Sequence, residues 1–212
     1  MHYNTEKNDH NLPHDPFKAL VSPRPIGWIG TRNKEGVNNL APYSYFNAIS
    51  DKPYFVTFAS TGFKDSIKNI EETKVFTCSL VTENLFSKMN YSSASTKYGQ
   101  DEFELSGLDP KDGKFVNAPY VSESPAALEC KLWKVIDLPG SDRSNLSGSY
   151  VVFGHVIGIY IDDDYIKNGL FDTRKASPLG RLGYMDYGII NDSNMFSKKR
   201  PQIDNDGKII KE

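Results

Sequence analysis

Apolar residues alternate with polar ones, or run together over six to twelve positions, along several stretches of this chain, and these patterns predict strands. Tyr54-Phe55-Val56-Thr57-Phe58-Ala59 follows Pro53 and is rich in aromatic and β-branched side chains, as is Val75 to Val81; both predict buried strands. From Ala126 to Ile136, Leu128, Cys130 and Leu132 oppose Glu129 and Lys131, as in a strand with one wet face. Ile26-Gly27-Trp28-Ile29-Gly30-Thr31 reads as a first strand, and Asn33-Lys34-Glu35-Gly36 turns it into Val37 to Ala41, a hairpin. Tyr150 to Ile161 is apolar on both faces. Core on one side and a second subunit on the other explain this most simply, so a homodimer is expected.

Helical periodicity is confined to short segments. Asp65 to Glu72 places Ile67 and Ile70 on one face, and Thr82 to Met89 pairs Leu85 with Met89 behind Thr82 as N-cap. Several strands, two short helices and no sustained β-α-β alternation predict an all-β or β-rich barrel. Residues 1–15 are polar and disorder-like, apolar periodicity begins at Phe17 to Val21, and Pro23-Arg24-Pro25 forces extended backbone. The domain is therefore placed at 16–196, with Asn90 to Ser124 irregular and a polar tail at 197–212 that has a turn at Asp206-Gly207.

Composition narrows the function classes. The 212 residues, 38% hydrophobic, suit one substantial domain, and 25 Lys plus Arg nearly balance 27 Asp plus Glu. No global field draws such a chain to nucleic acid or to an anionic membrane, and the short run Lys198-Lys199-Arg200 reads as solvated surface. Cys78 and Cys130 lie in apolar strand-like runs outside any C-x-x-C pair, which predicts reduced, buried thiols. With no signal-like or membrane-length apolar run, a cytoplasmic protein is expected. His10 and His14 are four apart but flank Pro13, so no metal site is assigned. His155, in an apolar strand, reads as a core or interface histidine. H-E-x-x-H, G-x-S-x-G and the P-loop pattern are absent from the sequence.

Three stretches carry candidate chemistry. Ser60-Thr61-Gly62-Phe63-Lys64-Asp65-Ser66 leads from a strand into a helix and gathers hydroxyls, backbone amides and an ammonium at a helix N-terminus, where phosphate binds. Gly62 lets the chain turn tightly towards an anion. A simple cap, with Asp65 or Ser66 bonding the first amides, fits this segment equally well. Asn38-Asn39-Leu40-Ala41-Pro42-Tyr43-Ser44-Tyr45-Phe46-Asn47 alternates small polar residues with aromatics, which suits a planar ring, or else a strand with a proline irregularity. In Ser22 to Thr31, Arg24 offers a fixed charge and Trp28 a flat wall, unless Trp28 belongs to the core.

Together these stretches resemble the flavin reductase-like family with the FMN-binding split barrel, especially its flavoredoxin-like branch. The resemblance runs from about Phe17 to about Pro201. It takes in Asn69-Ile70-Glu71-Glu72-Thr73, Met89-Asn90 with Ser92-Ser93-Ala94, Asp101 to Leu108, Ser124 to Cys130 and Arg181-Leu182-Gly183. It implies a Greek-key split barrel with short peripheral helices, a homodimer with FMN near the subunit interface, and hydride transfer from NADH or NADPH to flavin. By motif, Ser60, Thr61, Gly62, Lys64, Asp65 and Ser66 would surround the phosphate and ribityl chain, while Tyr43, Ser44, Tyr45 and Phe46 line the isoalloxazine. Arg24 and Trp28 would close another side, Asn90 and Ser93 would add contacts, and Arg181 and Tyr184 would approach the ring or the nicotinamide. The chain departs from the family pattern at Tyr184, where many relatives have glycine, and at His155, at a position often acidic.

No catalytic side chain is assigned, because the cofactor carries the hydride chemistry and the protein orients two rings. An NAD(P)H-dependent flavin oxidoreductase is the first expectation. An electron-transfer flavoprotein served by a redox partner is the alternative, and flavin released to a monooxygenase partner is a third.

Overall fold

Where the sequence alternates, the chain extends. A computed structural model describes residues 1–210 of the chain, and its main sheet is built from β1 (Gly27–Arg32), β2 (Asn38–Tyr43), β3 (Phe46–Asp51), β4 (Tyr54–Thr61), β5 (Val75–Leu80), β6 (Ala126–Asp137) and β7 (Ser149–Ile161). Every neighbouring pair is antiparallel, in the order β2-β1-β5-β6-β7-β4-β3. The two edge strands are consecutive in the chain: β2 leaves one edge at Tyr43 and, after Ser44 and Tyr45, re-enters at the other edge as β3. The sheet therefore curls on itself as an antiparallel split barrel, with Tyr43 packed on Phe58 of β4 across the seam at 4.8 Å. Shifts of register at Phe153/Gly154 and Val156/Gly158 interrupt the β6–β7 ladder, where bulges sharpen the twist that a curled sheet needs.

The barrel has two cores, and β1 serves both. Ile29 faces the interior with Phe58, Phe76, Cys78, Cys130, Tyr150 and Val152. Trp28 points the other way, into a layer with Leu40, Leu85, Met89, Phe103 and Val121. Its strand is buried on both faces, so Gly30 is confined: a Cβ there would lie 2.0 Å from the Pro119 carbonyl oxygen. Fully burying side chains such as these stabilises by about 1.5–3 kcal/mol each.

Three short helices stand against the sheet: α1 (Asp65–Thr73), α2 (Phe86–Tyr91) and α3 (Glu102–Ser106). α1 buries Ile67 and Ile70 into the barrel core, as its periodicity predicts, and ends at Lys74 in the left-handed conformation. The second predicted helix starts later than expected. Thr82 precedes a 3-10 turn, Glu83–Leu85, and its hydroxyl bonds Asn84 Oδ1 at 2.5 Å rather than capping the turn. Asn90 to Ser124 is not irregular throughout, since it holds α3, capped by Asp101, and a hairpin of Pro110–Asp112 with Pro119–Val121.

Glu129 corrects the wet-face reading of β6. It is buried and accepts the amides of Phe115 at 2.6 Å and Val116 at 3.1 Å, so a distant loop folds over that face. Phe17, Leu20 and Val21 stay exposed, because the turn Phe17–Leu20 buries nothing. In the tail, Gln202–Ile203 pairs with Ile209–Ile210 around Gly207, whose φ of 77° suits the expected turn. Cys78 and Cys130 are free and buried. Among the described residues no helix is long and apolar enough to cross a membrane.

Candidate functional site

The seam of the barrel opens a crevice made of two cavities that meet at Pro42 and Ser93. The inner one, about 310 Å³, is walled by Asn39 and Tyr43 of β2, Lys64 to Ser66 at the start of α1, Ser92 to Thr96 after α2, and Glu102 of α3. The outer one, about 390 Å³, lies between Lys18, Arg24, Ser44, Asn90, Arg181 and Tyr184.

Each wall has a local cause. Gly62 turns at φ 87°, the Ser60 hydroxyl donates to the Gly62 carbonyl at 2.9 Å, and α1 then begins after Lys64, whose side chain makes no capping bond. The Asp65 carboxylate lies by its own amide at this end, as a simple cap would place it, and the positive end of a nine-residue helix lines the inner cavity together with Lys64. On the opposite wall, five consecutive residues from Ser92 to Thr96 line the cavity, four of them hydroxyl-bearing. Trp28 holds that turn from behind, its indole N–H donating 2.9 Å to Ser92 Oγ, which itself donates to the Met89 carbonyl at 2.8 Å.

The floor is a buried polar network. Asn39 donates to Thr31 and to Ser66, each at 3.0 Å, and Asn69 donates to Thr31 at 3.1 Å. Glu102 accepts the Leu40 amide at 3.0 Å and the Thr96 hydroxyl at 2.6 Å. Burial pushes the Glu102 and Asp65 carboxyls above the usual carboxylate range and raises the Tyr43 phenol. The Tyr43 hydroxyl is buried beside the hydroxyls of Ser60 and Ser66. Arg24 Nε, in the outer cavity's wall, is buried and unpaired among the described residues.

The sequence expectations divide accordingly. Lys64, Asp65, Ser66, Tyr43 and Ser93 share the inner cavity, and Arg24, Ser44, Asn90, Ser93, Arg181 and Tyr184 share the outer one. Ser60, Thr61 and Gly62 line neither. The loop before β7 takes this turn's amides, with Gly62 N–H on the Gly148 carbonyl at 2.8 Å and Phe63 N–H on the Leu146 carbonyl at 3.0 Å. Trp28 is fully buried and supports a wall instead of forming one. Phe46 turns to the far side, over Gly27, where a Cβ would lie 2.4 Å from its ring. Tyr45 lines a separate cavity with His14 and Tyr184.

Arg24 is less free than its flanking prolines suggest. Its guanidinium donates to the carbonyls of Lys18, Val21 and Leu182, tying the Phe17–Leu20 turn to the loop after Leu179–Arg181. Among the described residues it has no carboxylate partner, so its charge stays beside the outer cavity. Arg181 donates to the Tyr184 carbonyl at 2.7 Å and lies over the Tyr187 ring at 4.3 Å. Asn39, Ser95, Thr96 and Glu102 were not singled out individually from sequence. The hydroxyl run from Ser92 to Thr96 was the available signal.

Residues 20–180 match the model of the flavin reductase like domain. An uncharacterized protein of Aquifex aeolicus is 34% identical over 189 residues, covering 86% of this chain and 92% of its own length. The solved structure of nitrilotriacetate monooxygenase component B from Bacillus cereus aligns with TM-score 0.83 at 24% identity, over 93% of this chain and 98% of that one. That of a 2-nitrobenzoate 2-nitroreductase from Pseudomonas fluorescens aligns with TM-score 0.81 at 27% identity, over 94% and 96%.

Proposed function

The chain belongs to the flavin reductase like domain family, and from that premise we propose that it binds FMN along the two-cavity crevice and acts as an NAD(P)H-dependent oxidoreductase. The observation that carries this reading is the lining of the inner cavity, where Lys64, the start of α1 and the four hydroxyl-bearing residues between Ser92 and Thr96 converge. Donors gathered at a helix N-terminus beside an ammonium favour a ligand with an anionic end and further acceptors along its length. FMN has them, in its phosphate, ribityl hydroxyls and ring carbonyls.

Lys64, the start of α1 and the hydroxyls of Ser93 and Ser95 would hold the phosphate. Asp65 and Glu102, with carboxyls raised by burial, suit ribityl hydroxyls better than a phosphate dianion. Ser44, Asn90, Arg24 and Arg181 would edge the ring, where fixed positive charge favours a reduced, anionic flavin. Bound FMN supplies hydride exchange with a nicotinamide.

A homodimer is part of the proposal. On the outer face of the barrel, Phe55 stacks on His155 at 5.1 Å, and Trp133, left 64% exposed, meets the edges of Phe55 and Phe153. A second copy covering this aromatic patch explains why β7 is apolar on both faces.

Anaerobic addition of NADH and of NADPH to the FMN-loaded protein tests the activity. Bleaching of the flavin absorbance by either supports it. A spectrum unchanged by both contradicts it and leaves an electron carrier reduced by a partner protein.

A further inference from the structure

Beyond the crevice lies a third cavity, about 540 Å³, that the FMN reading does not use. It is walled by His14, Phe17, Lys18, Tyr45, Tyr184 and Met185, and meets the outer cavity of the crevice at Lys18, Tyr184 and Met185. Three aromatic rings and a thioether around an ammonium are the complement of a flat apolar body bearing a negative charge.

Two features mark this cavity as more than leftover surface. Tyr184 has φ 51°, a left-handed conformation that glycine adopts freely and a bulky side chain adopts at a cost. The ring buries little in return, being half exposed, and its one aromatic neighbour is His14 at 5.8 Å. Its side chain is thus held in the cavity wall without a packing reason. The charge balance is the second feature. Lys18 makes no ion pair among the described residues, and Arg24 and Arg181, which line the adjoining outer cavity, have no carboxylate partner among them either. Asp15 is the only acid in the cavity's lining, and its carboxylate accepts the Phe17 amide at 2.8 Å. That bond turns Asp15 towards the backbone, and Lys18 is the cation the lining offers a ligand.

We propose that this cavity binds a planar aromatic carboxylate, with the carboxylate on Lys18 and the ring against Tyr45, Phe17 and Tyr184. This gives the crevice an adjoining site for a small aromatic acid, and its functional meaning rests on the FMN reading.

NMR titration of the FMN-equilibrated protein with benzoate, nicotinamide and cyclohexanecarboxylate tests it, with FMN occupancy read from absorbance in the same samples. Low occupancy contradicts the FMN reading and leaves the benzoate result to stand by itself. Benzoate is expected to bind about tenfold tighter than either comparator, since only benzoate combines the charge with the flat ring. Lys18→Met should lose about tenfold, Lys18→Arg should stay within about threefold, and Phe17→Ala, outside the crevice, should lose about fivefold. Nicotinamide binding as tightly as benzoate overturns the proposal, as does an unchanged benzoate affinity in both Lys18→Met and Phe17→Ala.

Discussion

At Arg24 and Trp28 the sequence shows the residue but not its direction. Two prolines fix the backbone at Arg24, yet only the fold brings the carbonyls of Val21 and Leu182 within 2.6 and 2.9 Å of its guanidinium. Trp28 could face core or ligand from its strand alone, and the choice is made by Ser92, 64 residues away. Glu102 stood in a quoted motif without a role, because its partners Leu40 and Thr96 come from other elements. Its raised carboxyl gives a pH prediction. The native state holds the proton more tightly than the unfolded chain, so stability falls as pH rises from the ordinary carboxylate range through the raised value. Glu102→Gln keeps an acceptor for the Leu40 amide and reverses the Thr96 bond, its N–H donating to the hydroxyl, without the charge. It should abolish that fall and match or exceed the parent's stability in urea melts at about pH 8. Glu102→Ala strands the Leu40 amide and should lose about 1–3 kcal/mol.

Elements whose signal is local were legible. α1 followed from Ile67 and Ile70, and the β1–β2 hairpin from its turn residues. β6 misled at Glu129, because the loop that satisfies the carboxylate arrives from residues 115 and 116 and leaves no trace in the strand's own alternation. One inter-element tie gives a second prediction. Arg143, in the loop between β6 and β7, bonds Asp137 at 2.6 Å and Glu71 of α1 at 2.9 Å, and it lies over the Phe63 ring at 5.0 Å. The guanidinium holds the Asp137 carboxyl below its usual range. That contribution is present at neutral pH and lost as pH falls through the lowered value. These side chains are a quarter to two-fifths exposed, so Arg143→Ala should cost less than about 1 kcal/mol at neutral pH. Urea melts at neutral and strongly acidic pH should show parent and variant converging in acid; a constant gap contradicts the ion-pair account.

At the scale of the molecule, strand-rich patterning indicated a barrel, while the crevice required knowing that β2 and β3 sit at opposite edges of one sheet. Of the residues the resemblance named, the fold brings Tyr43, Lys64, Asp65, Ser66 and Ser93 to the seam, and sets Trp28 behind its wall and Phe46 on the far side. The aromatic patch on the outer face predicts a dimer that Trp133→Asp should disrupt, by placing an unpaired charge among Phe55, Phe153 and His155. Sedimentation equilibrium should show a dimer for the parent and a monomer for the variant. A monomeric parent removes the patch as the reason for β7's two apolar faces.

The central claim is that the inner cavity takes the phosphate end of FMN against Lys64. Fluorescence titration with FMN and riboflavin, on the parent protein and on Lys64→Ala, tests it most directly. The parent should bind FMN about a hundredfold tighter than riboflavin, and the variant should lose at least about tenfold for FMN while riboflavin changes little. Equal affinity of the parent for the two flavins, or equal weakening of both in the variant, contradicts the account.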